Sequence, residues 1–369
     1  MIKVLHVLGG LNLGGAETMV MNLYRAIDKS KIQFGFIIHL QDKQAYEDEI
    51  MALGGEIYRF PAFNGINIIN QKKIWNNFFK EHKEYTILHS HVRSYASLYI
   101  PIAKKNGLQT IIHSHSTSNG KGISAKVKDV MQYPLRYQAD YLFACSQDAG
   151  KWLFGSKACQ KSNFRVFANS IDAEKFDFCI TKRNEIRRKL EISDKFVMGH
   201  VGRMTKPKNH IFLLKVFLEL TKIRNDAILL LVGDGELRSL IEKEICDLEI
   251  KSKVIVVGNK LNTQDYYQAM DVFVFPSLWE GLGIVGIEAQ NSGLPCIISE
   301  NIPKEIDLHE GLIEVLNLSD GVEKWAKVVS ESASCCRHGR REATRRAGYD
   351  IEENAILLEE FYTSITGRR

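Results

Sequence analysis

Several features that mark specialised classes of protein are absent from the sequence. No apolar run approaches the ~18 residues that a membrane-spanning helix requires. The N-terminal residues contain one early lysine and a short apolar run without a convincing cleavage site, which predicts a first β-strand rather than a signal peptide. Only 7 of the 369 residues are proline and 27 are glycine, so collagen-like and low-complexity classes are excluded.

The cysteines and the net charge further restrict the class of protein to which this sequence can belong. The seven cysteines form no C-x-x-C spacing, and an odd number without a pattern indicates a reducing compartment, the cytoplasm. The formal net charge of +5 is mild. It permits an anionic ligand or a membrane surface, requires neither, and gives no reason to expect nucleic acid as a partner. At ~150 residues per domain, the chain is expected to be a soluble cytoplasmic protein of two domains.

Short apolar runs of strand length alternate with helix-compatible segments along the whole chain. The predicted strands are Ile2–Leu8, Phe34–Leu40, Thr86–Ser90, Thr110–His113, Tyr141–Cys145, Arg165–Ala168, Phe196–Val201, Ile228–Val232, Lys253–Val257, Val272–Phe275 and Pro295–Ser299. The helix candidates include Glu17–Ile27, Gln71–His82, His210–Thr221, Glu236–Leu248 and Gly283–Ser292. Several strand runs lack polar alternation, as expected for parallel strands covered on both faces. The fold class is therefore α/β, with parallel sheets.

The alternation pauses between Asp172 and Asp194, where the chain is charged and contains no β-run. We therefore expect an N-terminal Rossmann-like domain over 1–172, a linker with one exposed helix over 173–194, and a second Rossmann-like domain over 195–348. Residues 349–369 contain a segment of helical apolar spacing that could pack on either half. Ligands are expected in a shared cleft at the carboxyl ends of the strands.

A glycine-rich turn follows the first strand. It contains Gly14 and Gly15 and leads directly into the first helix candidate. Glycines at a strand-to-helix turn let the backbone approach a ligand closely and direct amide N–H groups at an anion. The same residues would also suit a tight turn without a ligand.

Two cations, Arg203 and Lys208, follow a strand of the second half. At the carboxyl end of a strand they could neutralise a diphosphate, the arginine through its planar fork and the lysine as a point charge. A solvated basic loop is the alternative.

The strongest motif follows the strand Val272–Phe275. Two glycines, Gly281 and Gly283, open a helix there, so backbone N–H groups and the positive end of the helix dipole point away from the strand. Glu280 precedes this helix and Glu288 lies within it. Each carboxylate could accept two hydrogen bonds from the vicinal hydroxyls of a ribose or a hexose. Two surface glutamates are the alternative.

A His-Ser-His tripeptide occurs twice, at His89 to His91 and at His113 to His115, each time at the end of a β-run. Alternate strand residues point to one face, so each pair could converge. Four imidazoles could bind zinc, but no carboxylate or cysteine stands at a familiar metal spacing, so neutral histidines that line a sugar pocket are favoured. His113 could also be a core residue.

The segment Lys121–Arg136 combines basic and apolar residues, which fits either a helix at an anionic membrane surface or a solvated helix.

Taken together, these motifs resemble the family-4 glycosyltransferases of the GT-B fold, in the branch that builds capsular and exopolysaccharides. The resemblance spans nearly the whole chain. It rests on Gly14-Gly15-Ala16-Glu17, Asn169-Ser170-Ile171-Asp172, Gly202-Arg203 with Lys208, Val232-Gly233-Asp234-Gly235, the run Asp271–Ser277, the pair Glu280 and Glu288, His113-Ser114-His115 and Ser299–Glu305.

The resemblance implies a retaining enzyme with two Rossmann-like domains that face a central cleft. It would move a hexose or N-acetylhexosamine from a nucleotide-diphosphate sugar, with UDP as the favoured nucleotide, to a growing lipid-linked polysaccharide or glycan. It requires no metal and no other cofactor, in keeping with the absence of an Asp-x-Asp motif. The enzyme would be cytoplasmic, with peripheral contact at the inner face of the cell membrane, and its last helix would cross back to the first domain.

The resemblance also assigns roles to individual residues. His113, Glu280, Arg203 and Lys208 are the catalytic candidates: Arg203 and Lys208 hold the diphosphate, Glu280 lies by the donor sugar and His113 faces it. Glu288 binds the ribose and Val257–Lys260 meets the base. The predicted donor-binding set is Gly14, Gly15, Arg203, Lys208, Val257, Asn259, Lys260, Glu280, Gly281, Leu282, Gly283, Ile284, Val285 and Glu288.

Three other interpretations remain open on the sequence. A UDP-sugar epimerase would share the fold and the donor site. A zinc-dependent hydrolase would use His89, His91, His113 and His115. A sugar-nucleotide-binding subunit without catalysis would have no reason to keep both glutamates and both cations.

Overall fold

The computed structural model describes residues 1–12, 14–116, 122–332 and 337–367. The chain divides into two compact units, each with its own parallel sheet. The first unit comprises Met1–Ser170 and Ile351–Arg369, and the second comprises Ile171–Asp350.

The sheet of the first unit has, within the described residues, seven strands in the order β3-β2-β1-β4-β5-β6-β7. All of its pairings are parallel. The central strands are apolar on both faces because helices cover both sides. The strands are β1 Ile2–Val7, β2 Ile32–Ile38, β3 Glu56–Arg59, β4 Tyr85–Ser90, β5 Gln109–Ser114, β6 Tyr141–Ala144 and β7 Phe164–Val166.

The helices of the first unit lie in two layers. One core cluster joins the sheet to α1, α2 and the last helix of the chain, and the other joins it to α3, α4, α6 and α7. The helices are α1 Gly15–Ala26, α2 Glu47–Ala52, α3 Ile68–Glu81, α4 Ala96–Lys105, α5 Ile123–Gln132, α6 Leu135–Gln138, α7 Gln147–Phe154 and, from the C-terminal segment, α15 Ile351–Thr366. Lys121, predicted as part of the α5 segment, lies outside the described residues.

The C-terminal helix α15 completes one face of the first unit. Its residues Leu358, Phe361 and Tyr362 are buried in the same cluster as Phe34 and Phe36 of β2. The helix therefore contributes core packing to a sheet whose first strand lies more than 300 residues earlier in the sequence.

The second unit repeats the same topology with a six-stranded parallel sheet, counted over the described residues, in the order β10-β9-β8-β11-β12-β13. Its core lies between this sheet and the long helix α9 with α13. In chain order the elements are α8 Ile180–Lys189, β8 Phe196–Val201, α9 His210–Ile223, β9 Ala227–Val232, α10 Arg238–Asp247, β10 Val254–Val256, α11 Thr263–Ala269, β11 Val272–Phe275, α12 Ile284–Asn291, β12 Cys296–Ser299, β13 Ile313–Leu316, α13 Val322–Glu331 and α14 Arg341–Arg346.

The segment 173–194, predicted as a linker, belongs to the second unit. Its charges are not merely solvated, because Arg183 and Arg187 of α8 both pair with Asp271 at the start of β11. The Asn291 amide also donates to the Ala173 carbonyl at 2.9 Å. These bonds fix the segment to the second sheet, which moves the unit boundary to residues 170 and 171.

No helix among the described residues has both the length and the apolar character needed to cross a bilayer.

Candidate active site

The candidate residues of the second unit gather where its strand order reverses. Strands β8 and β11 are neighbours, but β9 and β12 continue outward from them in opposite directions. The loops that follow β8 and β11 therefore diverge and leave room at the carboxyl edge of the sheet, which is where open α/β sheets bind ligands. Arg203 and Lys208 lie on the first loop, and Glu280 lies on the second.

Lys208 and Glu280 meet in a direct ion pair. The Lys208 Nζ lies 2.7 Å from Oε1 of Glu280, and the two side chains are only 17% and 12% exposed. The Ser277 hydroxyl donates to the same carboxylate oxygen at 2.8 Å. The ammonium also lies 5.0 Å from the centre of the Phe275 ring. A cation held this firmly, largely out of water, has a fixed position before any ligand arrives.

Backbone contacts join the two loops that carry this pair. The Leu278 N–H donates to the Pro207 carbonyl at 2.7 Å. The Asn209 side chain donates to the Pro276 carbonyl at 3.1 Å, while its backbone adopts the left-handed conformation, with φ of 55°. The Lys208–Glu280 geometry is therefore set by backbone as well as by charge.

Two glycines of this edge have structural reasons to be glycine. Gly283 precedes α12 with φ of 89°, in the region that favours glycine. At Gly233, with φ of 134°, a Cβ atom would lie 2.1 Å from the Gly202 carbonyl oxygen. The loops after β8 and β9 thus approach each other more closely than any side chain would allow.

Glu288 of α12 is embedded beside a buried tyrosine. The Tyr267 hydroxyl donates to Oε2 of Glu288 at 2.7 Å. Burial raises the pKa of Glu288 to about 7, against the opposing effects of the Tyr267 hydrogen bond and of the Lys208 charge. Its charge therefore changes close to neutral pH, unlike that of an ordinary glutamate.

The remaining predicted donor-binding residues of this unit follow the ends of β8, β10 and β11. Arg203 is exposed, and its side chain forms no ion pair with the residues that the structure describes. Val257 is half-buried and its N–H donates to the Leu231 carbonyl, whereas Asn259 and Lys260 are exposed. Gly281, Leu282, Ile284 and Val285 form the turn into α12 and its first residues. The donor-binding assignments of these residues remain predictions.

Gly14 and Gly15 of the first unit lie at the start of α1. Gly14 has extended backbone, with φ of −102°, and a Cβ on Gly15 would meet no atom of the described residues within 4 Å. Neither its conformation nor crowding by those residues requires Gly15 to be glycine. Close approach of a ligand to the backbone remains as a physical reason for it.

The four predicted histidines of the first unit do converge, and a fifth joins them. His6 of β1 is the strand partner of His89 in β4, again at the point where the strand order reverses. Nδ1 of His6 lies 3.0 Å from Nε2 of His91, and Nδ1 of His91 lies 2.8 Å from Nε2 of His115. The rings of His6, His91 and His115 thus form one hydrogen-bonded chain. In a second chain of rings, Nε2 of His89 lies 3.3 Å from Nδ1 of His113. The Tyr362 hydroxyl of α15 lies 2.7 Å from the remaining nitrogen of His89.

All five imidazoles are neutral at physiological pH. Burial lowers the pKa of His6 to about 3, and burial with the nearby Arg93 charge lowers that of His115 to about 3. Burial and the neighbouring imidazoles lower the pKa values of His89, His91 and His113 well below the usual 6.5. Neutral imidazoles are also what a metal ion would need, and two groups of three bring ligand atoms within 4.8 Å of one another: His6, His89 and His91, and His91, His113 and His115.

Exposure to solvent distinguishes His113 from His115. His113 lies within β5 and has no exposed surface, because Phe143 and Phe167 pack against its ring. His115 lies just beyond the strand end and is partly exposed. The role predicted for His113 at the transferred sugar is untested, but in this structure only the second ring of the tripeptide reaches the surface.

The sequence analysis missed His6, Ser277 and Tyr267. His6 gave a usable signal, since it is a polar residue flanked by Leu5 and Val7 in the first strand, three residues before the glycine-rich turn begins at Gly9. In a doubly wound sheet the first strand lies beside the fourth. Because β3 was not predicted, Thr86–Ser90 counted as the third strand, so the pairing of His6 with His89 could not be read from the predicted strands. Ser277 and Tyr267 gave no comparable signal, because their roles depend on side-chain contacts.

Comparison with known proteins agrees with this geometry. Residues 13–175 match the family model described as Glycosyltransferase Family 4, and residues 182–313 match the model Glycosyl transferases group 1. The structure is similar to that of HepE of Anabaena, solved in complex with UDP and glucose, with a TM-score of 0.81 over 99% of this chain and all of that one, at 16% identity.

Three curated relatives bear glycosyltransferase names. EpsF of Bacillus subtilis (strain 168) is 36% identical over 99% of this chain and 97% of its own. CapH of Staphylococcus aureus, named for capsular polysaccharide biosynthesis, is 23% identical over 99% of this chain and 100% of its own. An Escherichia coli UDP-Gal:alpha-D-GlcNAc-diphosphoundecaprenol alpha-1,3-galactosyltransferase is 33% identical over 36% of each chain. The present chain therefore belongs to the group 1 glycosyltransferases of family 4, with the GT-B fold, in the branch that builds exopolysaccharides and capsules.

Proposed function

We propose that this glycosyltransferase moves a hexose or N-acetylhexosamine from a UDP-sugar to a lipid-linked glycan, and that the anomeric configuration is retained. The observation that carries the proposal is the partly buried Lys208–Glu280 ion pair at the carboxyl edge of the second sheet, next to the start of α12. The other predicted donor-binding residues of that unit follow neighbouring strand ends.

The chemistry of the reaction explains why a fixed cation is useful there. When the bond between the anomeric carbon and the diphosphate breaks, negative charge develops on the leaving oxygen. Preorganised donors and cations stabilise such charge most effectively where water is excluded. The Lys208 ammonium carries three N–H donors, so it can keep its bond to Glu280 while it donates to diphosphate oxygens.

The other charged residues fit complementary roles. Exposed Arg203 can present its planar fork to a phosphate without first breaking an ion pair. Glu280 holds Lys208 and would accept hydrogen bonds from hydroxyls of the donor sugar. Glu288, ionised above about pH 7, would accept hydrogen bonds from the ribose diol. In a retaining transfer the leaving phosphate oxygen can take the proton of the acceptor hydroxyl, so no separate general base is needed.

Two of the comparisons support the choice of donor and acceptor. HepE was solved with UDP and with UDP-glucose. The E. coli relative uses UDP-Gal and an acceptor attached to diphosphoundecaprenol, according to its name. By extension, we propose a UDP-sugar and a polyprenyl-diphosphate-linked glycan for this chain.

An enzyme with a lipid-linked acceptor must act at a membrane surface, and α5 presents an exposed apolar face that suits membrane binding. Ile123, Val127 and Val130 are 84%, 51% and 74% exposed, and Tyr133 and Tyr137 continue the exposed stripe. Lys126, also exposed, lies within it. We propose that this face inserts peripherally into an anionic membrane.

Flotation with phosphatidylglycerol vesicles should fail for an Ile123→Glu, Val130→Glu double variant. The control Ile180→Glu, at an exposed apolar residue of the second unit, should float like the unaltered protein.

The donor and the stereochemistry are tested together. The protein is screened against UDP-, GDP- and ADP-sugars for a rise in melting temperature and for donor hydrolysis. The product made from the preferred donor is then examined by proton NMR for its anomeric configuration. We expect stabilisation by UDP-sugars and an α product from an α donor. An inverted product, or conversion of one UDP-sugar into its epimer without acceptor, would contradict the proposal.

A further inference from the structure

Arg93 lies in the loop that joins β4 to α4, at the carboxyl edge of the first sheet. Its side chain is partly buried, and Nη1 is enclosed without a hydrogen-bond partner among the described residues. Its guanidinium carbon lies 4.8 Å from the centre of the Trp152 ring, but the group forms no ion pair within that part of the chain. The cation is therefore packed into the fold without an acceptor that neutralises it.

The other arginines that the structure describes in the first unit are paired, bonded to the backbone or exposed. Two form ion pairs with glutamates, one donates to a carbonyl oxygen and one is exposed, and these are, in that order, Arg25, Arg59, Arg136 and Arg165. Arginine is rarely buried unless it is paired, because a buried charge is costly without a partner. The surroundings of Arg93 are an exception that requires a physical reason.

The contact with Trp152 offsets only part of the cost of burying this charge. The face of an aromatic ring attracts a cation, but it provides no acceptor that could satisfy five N–H groups. Burial lowers the pKa of Arg93, and the charges of Cys145 and Asp129 oppose this effect only in part. A guanidinium nevertheless keeps its proton in a protein. An anion bound at Arg93 would supply the acceptors that the fold itself leaves out.

The frame around the guanidinium is fixed by contacts within the first unit. The Ser90 hydroxyl donates to the Val92 carbonyl at 2.8 Å, and the Ala96 N–H donates to the Arg93 carbonyl at 3.0 Å. Trp152 of α7 packs against the apolar core of the same unit. Only Nη1 of the three nitrogens is enclosed, so Nε and Nη2 can reach a ligand. The planar fork is thus held in place for bidentate binding of an anion.

The position of Arg93 in the chain restricts the anion that it can serve. Arg203 and Lys208, the cations proposed for the donor diphosphate, belong to the second unit, whereas Arg93 belongs to the first. The hydroxyls of a glycan need no guanidinium, but the fork of an arginine matches the oxygens of a phosphate group. The acceptor proposed above carries such a group in the diphosphate that joins the glycan to its lipid.

We propose that Arg93, held against Trp152, binds the diphosphate of the lipid-linked acceptor. The identity of the ligand as an acceptor rests on the proposed function, whereas the presence of a diphosphate site in the first unit rests on the surroundings of Arg93 alone. No bond is made or broken at this site. A glycan without the diphosphate would lack this contact, so Arg93 selects acceptors by their linkage to lipid.

Binding is measured by calorimetry with inorganic pyrophosphate as the probe. An Arg203→Ala, Lys208→Ala double variant serves as the parent protein, so that the donor-side cations cannot account for the heat. In this parent, Arg93→Met replaces the guanidinium by an apolar chain, and Arg93→Lys keeps the charge without the fork. Arg165→Met is the matched control, because Arg165 also stacks on an aromatic ring, that of Phe361 at 4.7 Å, but is exposed.

We expect the parent and Arg165→Met to bind pyrophosphate equally, and Arg93→Met to bind it about thirtyfold more weakly, the size expected for lost hydrogen bonds to a charged group. Arg93→Lys should lie between them. Geranyl diphosphate, a soluble prenyl ester, should bind about as tightly as pyrophosphate and show the same dependence on Arg93. Arg93→Met should also raise the melting temperature of the parent, because it removes a partly buried charge that has no partner.

Three results would overturn the proposal. Pyrophosphate that does not bind the parent, or binds Arg93→Met equally well, would exclude the site. A lower melting temperature for Arg93→Met would show that the fold itself satisfies the guanidinium. Binding of pyrophosphate without binding of geranyl diphosphate would indicate a site for a free anion instead of an acceptor. If the unaltered protein transfers sugar from no nucleotide sugar, the proposed function fails, while calorimetry still decides whether the first unit holds a diphosphate site.

Discussion

The two units share one topology but place different chemistry at the same point of it. In both sheets the strand order reverses between the first strand and the fourth, at β1 and β4 in one and at β8 and β11 in the other. In the first unit this point holds five neutral imidazoles joined by N–H···N bonds. In the second it holds the Lys208–Glu280 ion pair and a carboxyl group with a pKa of about 7.

The difference follows from what each set of side chains can stabilise. Ion pairs and dipoles stabilise a charge that develops on a diphosphate, but a full charge is costly to bury without a partner. Neutral imidazoles can be packed against one another in the core and still direct a donor at an uncharged hydroxyl. Topology therefore sets where a ligand can bind, while the strand-end residues determine whether that place suits an anion or a neutral sugar.

The largest expected difference between the units is their response to acid. A histidine whose folded pKa is lowered stabilises the fold above its ordinary value of 6.5, and this contribution is lost as the pH falls below 6.5. Each such histidine costs about 1.4 kcal/mol per pH unit in that range. The first unit has five in one cluster. The second has His200 and His210, and the raised pKa of Glu288 acts in the opposite direction.

We therefore expect the first unit to lose several kcal/mol of unfolding free energy between pH 7 and pH 5, and the second unit less than half as much. Urea unfolding at both pH values, with pulse-labelling hydrogen exchange to resolve peptides from each unit, measures this. His6→Phe should reduce the acid sensitivity of the first unit alone. Equal losses in both units would contradict the role given to the histidine cluster.

Removing the charged pair should have the next largest effect. Lys208→Ala and Glu280→Gln are each expected to lower kcat/KM for the UDP-sugar by about a hundredfold, the loss typical of a removed transition-state donor. Lys222→Ala is the matched control, because Lys222 also pairs with a glutamate, at 2.6 Å, but on the exposed face of α9. Circular dichroism should show that all three variants are folded. Normal turnover by either site variant would refute the assignment of this pair.

The raised pKa of Glu288 predicts a smaller, pH-dependent effect. If the ionised carboxylate binds the ribose diol, affinity for the donor rises with pH as Glu288 loses its proton near pH 7. Between pH 6 and pH 8 the dissociation constant should fall about tenfold, measured by calorimetry. Glu288→Gln should bind more weakly, with little dependence on pH. If the dissociation constant of the Glu288→Gln variant still falls tenfold between pH 6 and pH 8, a group other than Glu288 is titrating.

The smallest effect is expected from metal removal. If Lys208 and Arg203 stabilise the diphosphate, as proposed, no metal is required there, and EDTA should leave the rate of transfer within twofold of the untreated enzyme. Zinc analysis of the purified protein tests the histidine cluster directly, because its nitrogens are close enough to bind an ion. If stoichiometric zinc is found, the histidine cluster is a metal centre and not a set of hydrogen-bonded imidazoles.

The fold was largely predictable because its central strands are apolar on both faces. The bounds predicted for Phe196–Val201 and Val272–Phe275 are those of β8 and β11. The strands β3 and β13 were missed, and both are edge strands. An edge strand is partly solvated, so Glu56 and Arg59 of β3 and Glu314 of β13 interrupt the apolar pattern on which the prediction depends.

The sequence offered a set of candidate residues but not the contacts between them. Glycines and charges that follow the strands led to the prediction of Lys208, Glu280 and Glu288, whose roles at the donor remain predictions. The direct bond between Lys208 and Glu280 depends on how two loops 72 residues apart are held together, which no local pattern encodes. Burial of His113 was one of two alternatives, and the sequence could not decide between them, since alternation along β5 does not show that Phe143 and Phe167 will cover the ring.

The position of α15 has a consequence for synthesis on the ribosome. The second unit is a continuous stretch whose first and last residues, Ile171 and Asp350, pair with each other in a β-bridge. The first unit gains Leu358, Phe361 and Tyr362 only when the final helix emerges. Domains usually complete their folding from the N-terminus onward during translation. Here the half that is translated first gains its packing against α15 only after the whole second unit has been synthesised, and the nascent chain would expose an unfilled apolar face to chaperones until then.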